Sequence, residues 1–201
     1  MDFKKFKDTF FFPYRLFFLL DDKNTLGLTN LQDERIGITL KYAKGNLLDV
    51  GCGNMNKTVR RYHGFGVGLD VYPWEGIDVM CDTRYMPFPK KAFDTISFVA
   101  SFNHIPQSYV EEVLTEVKSV LKDDGLLLIT MVNPVISWIN HKWHYRHDID
   151  QKIRGMEKDE VWGYWHGEML KLLSKNGFTF IKHVPFLYYL SNLYISKKNG
   201  A

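Results

Sequence analysis

Between Asn46 and Met131 short apolar runs alternate with stretches of helical periodicity, and after that point the alternation stops. The runs are Asn46 to Val50, Gly66 to Asp70, Ile77 to Cys81, Phe93 to Val99 and Leu126 to Met131. Thr58 to His63 reads as a helical stretch. From Tyr109 to Leu121, apolar residues fall at Val110, Val113, Leu114, Val117, Val120 and Leu121, the spacing of one helix face. Asp123-Asp124-Gly125 predicts its end. A strand–helix–strand alternation implies a parallel sheet wound on both faces, with right-handed crossovers. Leu126 to Met131 is apolar throughout, as expected of a strand covered on both sides.

The last part of the chain breaks the pattern. Trp165 to Asn176 predicts a helix stopped by Gly177. Phe178 to His183 and Leu193 to Lys197 then predict two strands joined by a bend at Pro185. Consecutive strands with no helix between them form an antiparallel pair, an uncommon way to close a parallel sheet. The expected fold class is therefore α/β: a doubly wound, mostly parallel, seven-stranded sheet.

The 201 residues suit one domain. Residues 1–45 form an N-terminal helical extension or lid, with a helix from Asn30 to Tyr42. Residues 46–131 form the core. Residues 132–160, with Pro134, Trp138 and Trp143, fit neither pattern and read as an irregular acceptor-side insertion. Residues 161–198 supply the closing helix and hairpin. Hydrophobic residues at 45% and charged residues at 24% provide for a real core. A net charge of +3 lacks the basic stripe of a nucleic-acid protein. Cys52 and Cys81 follow strands that are not neighbours, so no disulfide is expected, and a reducing cytoplasm is the natural setting.

Phe10 to Leu20 is apolar but holds Pro13 and Arg15, and falls short of the about 20 residues that span a bilayer. It predicts a helix or lid packed on the core. The competing reading is a monotopic membrane contact aided by Lys4, Lys5 and Lys7. Oligomeric state is not legible here.

In a doubly wound sheet, ligands sit beyond the carboxyl ends of the strands where the strand order reverses. After the first strand comes Asp49-Val50-Gly51-Cys52-Gly53. Gly51 and Gly53 allow a tight turn and close approach of a ligand. A dinucleotide fingerprint would require a third glycine where Asn56 stands. Asp70 ends the second strand, where a carboxylate can accept both hydroxyls of a ribose; a plain turn aspartate is the alternative. Asp82 and Thr83 follow the third strand, where Asp82 can accept from an adenine amino group or cap a helix. Ala100-Ser101-Phe102-Asn103-His104 follows the fourth, beside the glycine turn.

The series LLDVGCG, GVGLDVYP, DVMCDTRYMPFPKKAFDTISFVASFNHI and LKDDGLLLIT resembles the motifs of class I methyltransferases, in particular their small-molecule group. The likeness covers residues 46 to 131 and extends to the closing helix and hairpin. It implies the strand order 3-2-1-4-5-7-6 with strand 7 antiparallel. It also implies S-adenosylmethionine as cofactor. Asp49, Gly51, Cys52 and Gly53 would surround its methionine part, Asp70 its ribose, Asp82 and Thr83 its adenine edge, and Ala100 and Ser101 the wall beside its sulfonium. With that order Cys52 and Cys81 stand about 9–10 Å apart, too far for a disulfide. The family's first motif commonly continues to a third glycine. Here Met55 stands there, and Asn54 is expected to take the left-handed conformation.

Methyl transfer from a sulfonium is an in-line displacement, so the protein chiefly aligns donor and acceptor. A hydroxyl acceptor must also lose a proton, and His104 is the candidate base. The alternative is that His104 only lines the site. Nucleobase methyltransferases often carry an Asn/Asp-Pro-Pro-Tyr-like turn after strand four. Ser101-Phe102-Asn103-His104 differs from it, so a small-molecule acceptor is expected, with oxygen slightly favoured. His141, His144 and His147 spread too widely around a helix for one metal ion, so no metal is expected. Their segment reads as an acceptor-binding lid, in which Arg146 and Arg154 can hold an anionic group or remain solvated. Trp162, Tyr164, Trp165 and His166 can pack internally or stack on a flat acceptor. A non-catalytic cofactor-binding scaffold and a nicotinamide-dependent oxidoreductase are the competing functions.

Overall fold

A computed structural model describes residues 3–17, 26–143 and 158–199, the side chains of Leu16, Phe17 and Asn140 excepted. The strands are β1 (Leu47–Val50), β2 (Gly66–Asp70), β3 (Val79–Met80), β4 (Phe93–Val99), β5 (Leu121–Val132), β6 (Phe178–Phe186) and β7 (Ser191–Lys198). They form one seven-stranded sheet in the order β3-β2-β1-β4-β5-β7-β6. The pairs from β3 to β5 are parallel, and β7 runs antiparallel to both β5 and β6. Both the order and the antiparallel closure match the sequence reading.

The helices are α1 (Phe3–Phe10), α2 (Phe12–Phe17), α3 (Leu31–Leu40), α4 (Lys57–Arg61), α5 (Val110–Val120), α6 (Pro134–Trp143) and α7 (His166–Lys175). α5 buries Val110, Val113, Leu114, Val117 and Val120, the face expected from their spacing. Side chains of β5 divide between two layers. Leu127, Ile129 and Met131 join the large cluster that includes α5 and α7. Leu128 points to the opposite layer, with Leu193, Ile195 and the α3 residue Ile38. This double burial explains the unbroken apolar run. α3 starts where Asn30 Oδ1 accepts from the Asp33 amide at 2.7 Å, a side-chain N-cap.

Three expectations are corrected. β3 has two residues rather than five, because the Asp78 carboxylate accepts from the Gly68 amide at 2.7 Å in place of a ladder carbonyl. The start of the 132–160 insertion is regular: Pro134 opens α6, and Asn133 Oδ1 accepts from the Val135 amide at 3.0 Å. Asn-Pro at a helix start is a cap followed by a preset φ, a signal present in the sequence. Finally, β6 continues through Pro185 to Phe186. As the outermost strand of the sheet, β6 can carry a proline without losing an interior ladder bond. The bend lies instead at Leu187, Tyr188 and Tyr189, all with positive φ.

Candidate active site

β1 delivers Asp49 and the glycine turn to the carboxyl edge of the sheet. Gly51 has φ 70°, and a Cβ there would run into Ser101. Ser101 closes over the turn from the end of β4, its Oγ donating to the Val50 carbonyl at 2.6 Å. Gly51 and Cys52 amides both donate to the Leu69 carbonyl, at 2.8 and 3.0 Å. Gly53 adopts φ 65° and ψ −170°, a region open in practice to glycine alone. No atom lies within 4 Å of where its Cβ would be, so the backbone is bare toward the cleft.

The left-handed residues that follow are Met55 (φ 67°) and Asn56 (φ 47°), not Asn54 as expected. The Met55 amide donates to the Glu75 carbonyl at 2.7 Å, which fixes the turn against the next loop. Asn56 is buried and donates to Asp78 at 2.8 Å, beside the Gly68 backbone. Contacts on both sides of the turn thus hold a conformation for which glycine is the easier residue.

Two carboxylates flank the turn. Asp70 Oδ2 accepts from the Gly53 amide at 2.9 Å, and its Oδ1 accepts from Tyr72 N at 3.0 Å. Each oxygen retains acceptor capacity. Asp49 is 1% exposed. Its Oδ1 accepts from Ser97 Oγ at 2.6 Å, while its buried Oδ2 has no hydrogen-bond partner among the described residues. Burial pushes this carboxyl up to about 6; the Ser97 and Thr58 hydroxyls oppose the rise and the charge of Asp70 adds to it. A buried, half-satisfied carboxylate of this kind suits a ligand with a cationic donor.

Cys52 is buried in the turn, and burial first, then Asp49, Asp70 and Asp78, push its thiol up. Burial, with Asp82 and Glu116, raises Cys81 to about 11. Both cysteines are free thiols, and neither has the character of a nucleophile.

β3 carries Asp82 and Thr83 to the same edge, and the Cys81 amide donates to the Asp70 carbonyl at 3.1 Å. Asp82 is held by the Arg84 guanidinium, whose Nε and Nη2 donate to it at 3.0 and 2.6 Å. Those bonds keep its carboxyl below the usual range. Thr83 follows, half-buried. Ala100 follows β4 with φ 55°, its amide donating to Thr130 Oγ1 at 2.9 Å.

The structure pairs His104 with a residue that the sequence reading passed over. His104 Nδ1 lies 3.0 Å from Glu160 Oε2, and the Glu160 side chain is fully buried. When Glu160 is ionised it can only accept, so the shared hydrogen sits on Nδ1 and a neutral imidazole then has its lone pair on Nε2. Asn103 Nδ2 approaches that Nε2 at 3.3 Å. Glu160 had no periodic signal to mark it. Its position depends on tertiary stitching: the Val161 amide donates to the Asn103 carbonyl at 3.3 Å, and Asp159 Oδ2 accepts from Ser108 N and Oγ at 3.0 and 2.8 Å.

Beyond Glu160 lies an open cleft of about 500 Å³, walled by Trp138, Trp162, Trp165 and Pro134. The His141 ring stands between the two parts, 6.3 Å from His104 and 5.1 Å from Trp162. Tyr164 instead joins the core against Phe102, and His166 stacks on Tyr194. His144, His147, Arg146 and Arg154 lie outside the described residues. Among the described residues no cluster of metal-ligating side chains occurs.

The fold has counterparts among known proteins. Residues 34–183 match the methyltransferase domain family. The PH0226 protein from Pyrococcus horikoshii superimposes with a TM-score of 0.62 at 21% identity, covering 93% of this chain and 98% of that one. A 1,6-didemethyltoxoflavin-N1-methyltransferase of Burkholderia thailandensis, solved with bound 1,6-didemethyltoxoflavin and S-adenosylhomocysteine, gives a TM-score of 0.62 at 11% identity over 96% of this chain and 87% of that one. Those two likenesses concern the fold. The uncharacterized protein MJ1252 of Methanocaldococcus jannaschii is 32% identical over 102 residues, and the match spans 46% of this chain and 39% of that protein. With the family match covering more than half of its length, this chain belongs to the methyltransferase domain family, and its sheet has the order of the class I, Rossmann-like methyltransferase fold.

Proposed function

We propose that the chain methylates a small, flat acceptor at a hydroxyl oxygen, with His104 as general base. The observation that carries this reading is the His104–Glu160 pair at 3.0 Å, set beside a tryptophan-walled cleft. When bound, S-adenosylmethionine supplies a methyl group on a sulfonium, already activated for displacement. The open backbone at Gly53 and the unpartnered Asp49 Oδ2 fit that cofactor. In this reading Asp49 accepts from the ammonium of its methionine part, and Gly51, Cys52 and Gly53 border that part through their backbone. Asp70 accepts from the ribose hydroxyls while retaining the Gly53 amide. Asp82 and Thr83 border the adenine, with Arg84 holding the Asp82 carboxylate in place. Ala100 and Ser101 form the wall toward the acceptor.

Glu160 fixes the imidazole tautomer and stabilises the imidazolium that forms as Nε2 takes the acceptor proton. Trp138, Trp162 and Trp165 offer flat faces that exclude water and align an aromatic acceptor. A cytoplasmic setting belongs to the same reading and is supported by the two free thiols.

The test is methyl transfer across a panel of phenolic acceptors. Turnover in His104→Asn should fall by about 10²- to 10⁴-fold, the usual worth of a positioned base. Affinity for S-adenosylhomocysteine should hold. Glu160→Gln should lower kcat with little change in KM. Undiminished turnover of His104→Asn would remove it as base. Binding of S-adenosylhomocysteine with no transfer to any acceptor would favour the non-catalytic scaffold.

A further inference from the structure

The strongest feature outside the methyl-transfer site is α1. Its three phenylalanines, Phe3, Phe6 and Phe10, lie at positions i, i+3 and i+7, on one face of the helix. They are 74%, 47% and 69% exposed. No residue of this helix is buried. An amphipathic helix ordinarily turns its apolar face to the core. This one is moored by its polar side. Asp8, nearly opposite the phenylalanines, accepts from Thr29 N at 2.8 Å and from Thr29 Oγ1 at 2.7 Å. Lys7 Nζ donates to the Leu26 carbonyl at 3.0 Å. Arg15, in α2 and 4% exposed, donates to the carbonyls of Thr29 and Asp8 at 2.7 and 3.0 Å and pairs with Glu34. The joint fixes the helix with its phenylalanine face outward.

We infer that α1 docks on an anionic lipid surface and holds the enzyme there without crossing it. Charge favours this occupant. Lys4 and Lys5 are exposed on α1, while Asp8, its single acidic residue, is committed to Thr29. An anionic membrane offers both what the phenylalanines and what the lysines need. Among the described residues no helix is long and apolar enough to cross a membrane, so the contact is interfacial. This inference does not depend on the acceptor reading.

Flotation of the full chain with vesicles tests it, using phosphatidylcholine alone and the same lipid with about one third phosphatidylglycerol. The anionic vesicles should bind at least about tenfold tighter, since each lysine near such a surface contributes roughly fivefold. Phe6→Ser with Phe10→Ser should lower binding by about tenfold or more. Lys4→Glu with Lys5→Glu should abolish the preference for anionic lipid; both side chains are exposed, and an unchanged melting curve verifies the fold. Equal weak binding to both vesicles overturns the inference, as does binding by both double variants at the level of the parent. A dimer in sedimentation that Phe6→Ser with Phe10→Ser dissolves, with no vesicle binding, overturns it too and assigns the face to a second copy.

Discussion

Asp49 is a buried carboxyl whose hold on its proton is set by its surroundings. Its value of about 6 stands above the ordinary 3.8, because burial disfavours the charge. The folded protein therefore keeps a proton that the unfolded chain has already lost. This group's contribution to stability is present at low pH and is lost as pH rises from about 4 through about 6. In the proposed reading, the cofactor's ammonium beside Oδ2 would reverse the preference and expel the proton. Affinity for S-adenosylhomocysteine should then improve as pH rises through the same window, by up to about tenfold per unit, and level off above it. Calorimetry at pH 5, 6 and 7 reads this directly. Asp49→Asn should bind weakly and without the slope; a parent affinity that is flat over this range would separate Asp49 from the ammonium. Asp70 makes a different kind of contribution, since its Oδ2 holds the Gly53 amide and its Oδ1 the Tyr72 amide within the protein itself. Asp70→Ala should lose cofactor affinity while retaining the cooperative melt, and an unchanged affinity would withdraw the ribose role.

At the level of elements, β5 and α3 share the thinner of the two layers. Leu128 is fully buried there with few partners, Leu193 and Ile195 chief among them. Leu128→Ala should lower the unfolding free energy by roughly 2–5 kcal/mol, as measured by urea denaturation. This layer also explains what the sequence disclosed. α5 and the central strands were legible because their burial follows a strict period. The strand-end positions of Asp49, Asp70 and Asp82 were legible because topology brings the carboxyl ends of parallel strands to one edge of the sheet. α6 was missed although Asn133 and Pro134 marked its start, because it was read together with the charge-rich stretch that follows it in the sequence. β3 was overestimated because the Asp78 side chain replaces a ladder bond, which no hydrophobic pattern reports. Glu160 was missed for a deeper reason. Its burial against His104 is created by the stitching of residues 159–161 onto the loop after β4, a contact far apart in sequence.

For the whole molecule, cofactor binding and folding are one equilibrium. At a ligand concentration about a hundred times Kd, a ligand that binds only the native state adds about 2.7 kcal/mol. For a domain near 200 residues this is a rise in Tm of about 5–10 °C. S-adenosylhomocysteine should produce that rise in a thermal melt, and NAD should leave the curve in place. The reverse result would contradict the fit at Asp49 and Gly53. The sheet itself is open, with β3 and β6 as its margins. β3 offers two residues of unpaired backbone, and β6 carries Pro185 and a register break between Phe180 and Lys182. Neither margin presents a long, regular row of free amides and carbonyls to another chain. Many copies gathered on one lipid surface would thus meet at high local density without their sheets joining into fibrils.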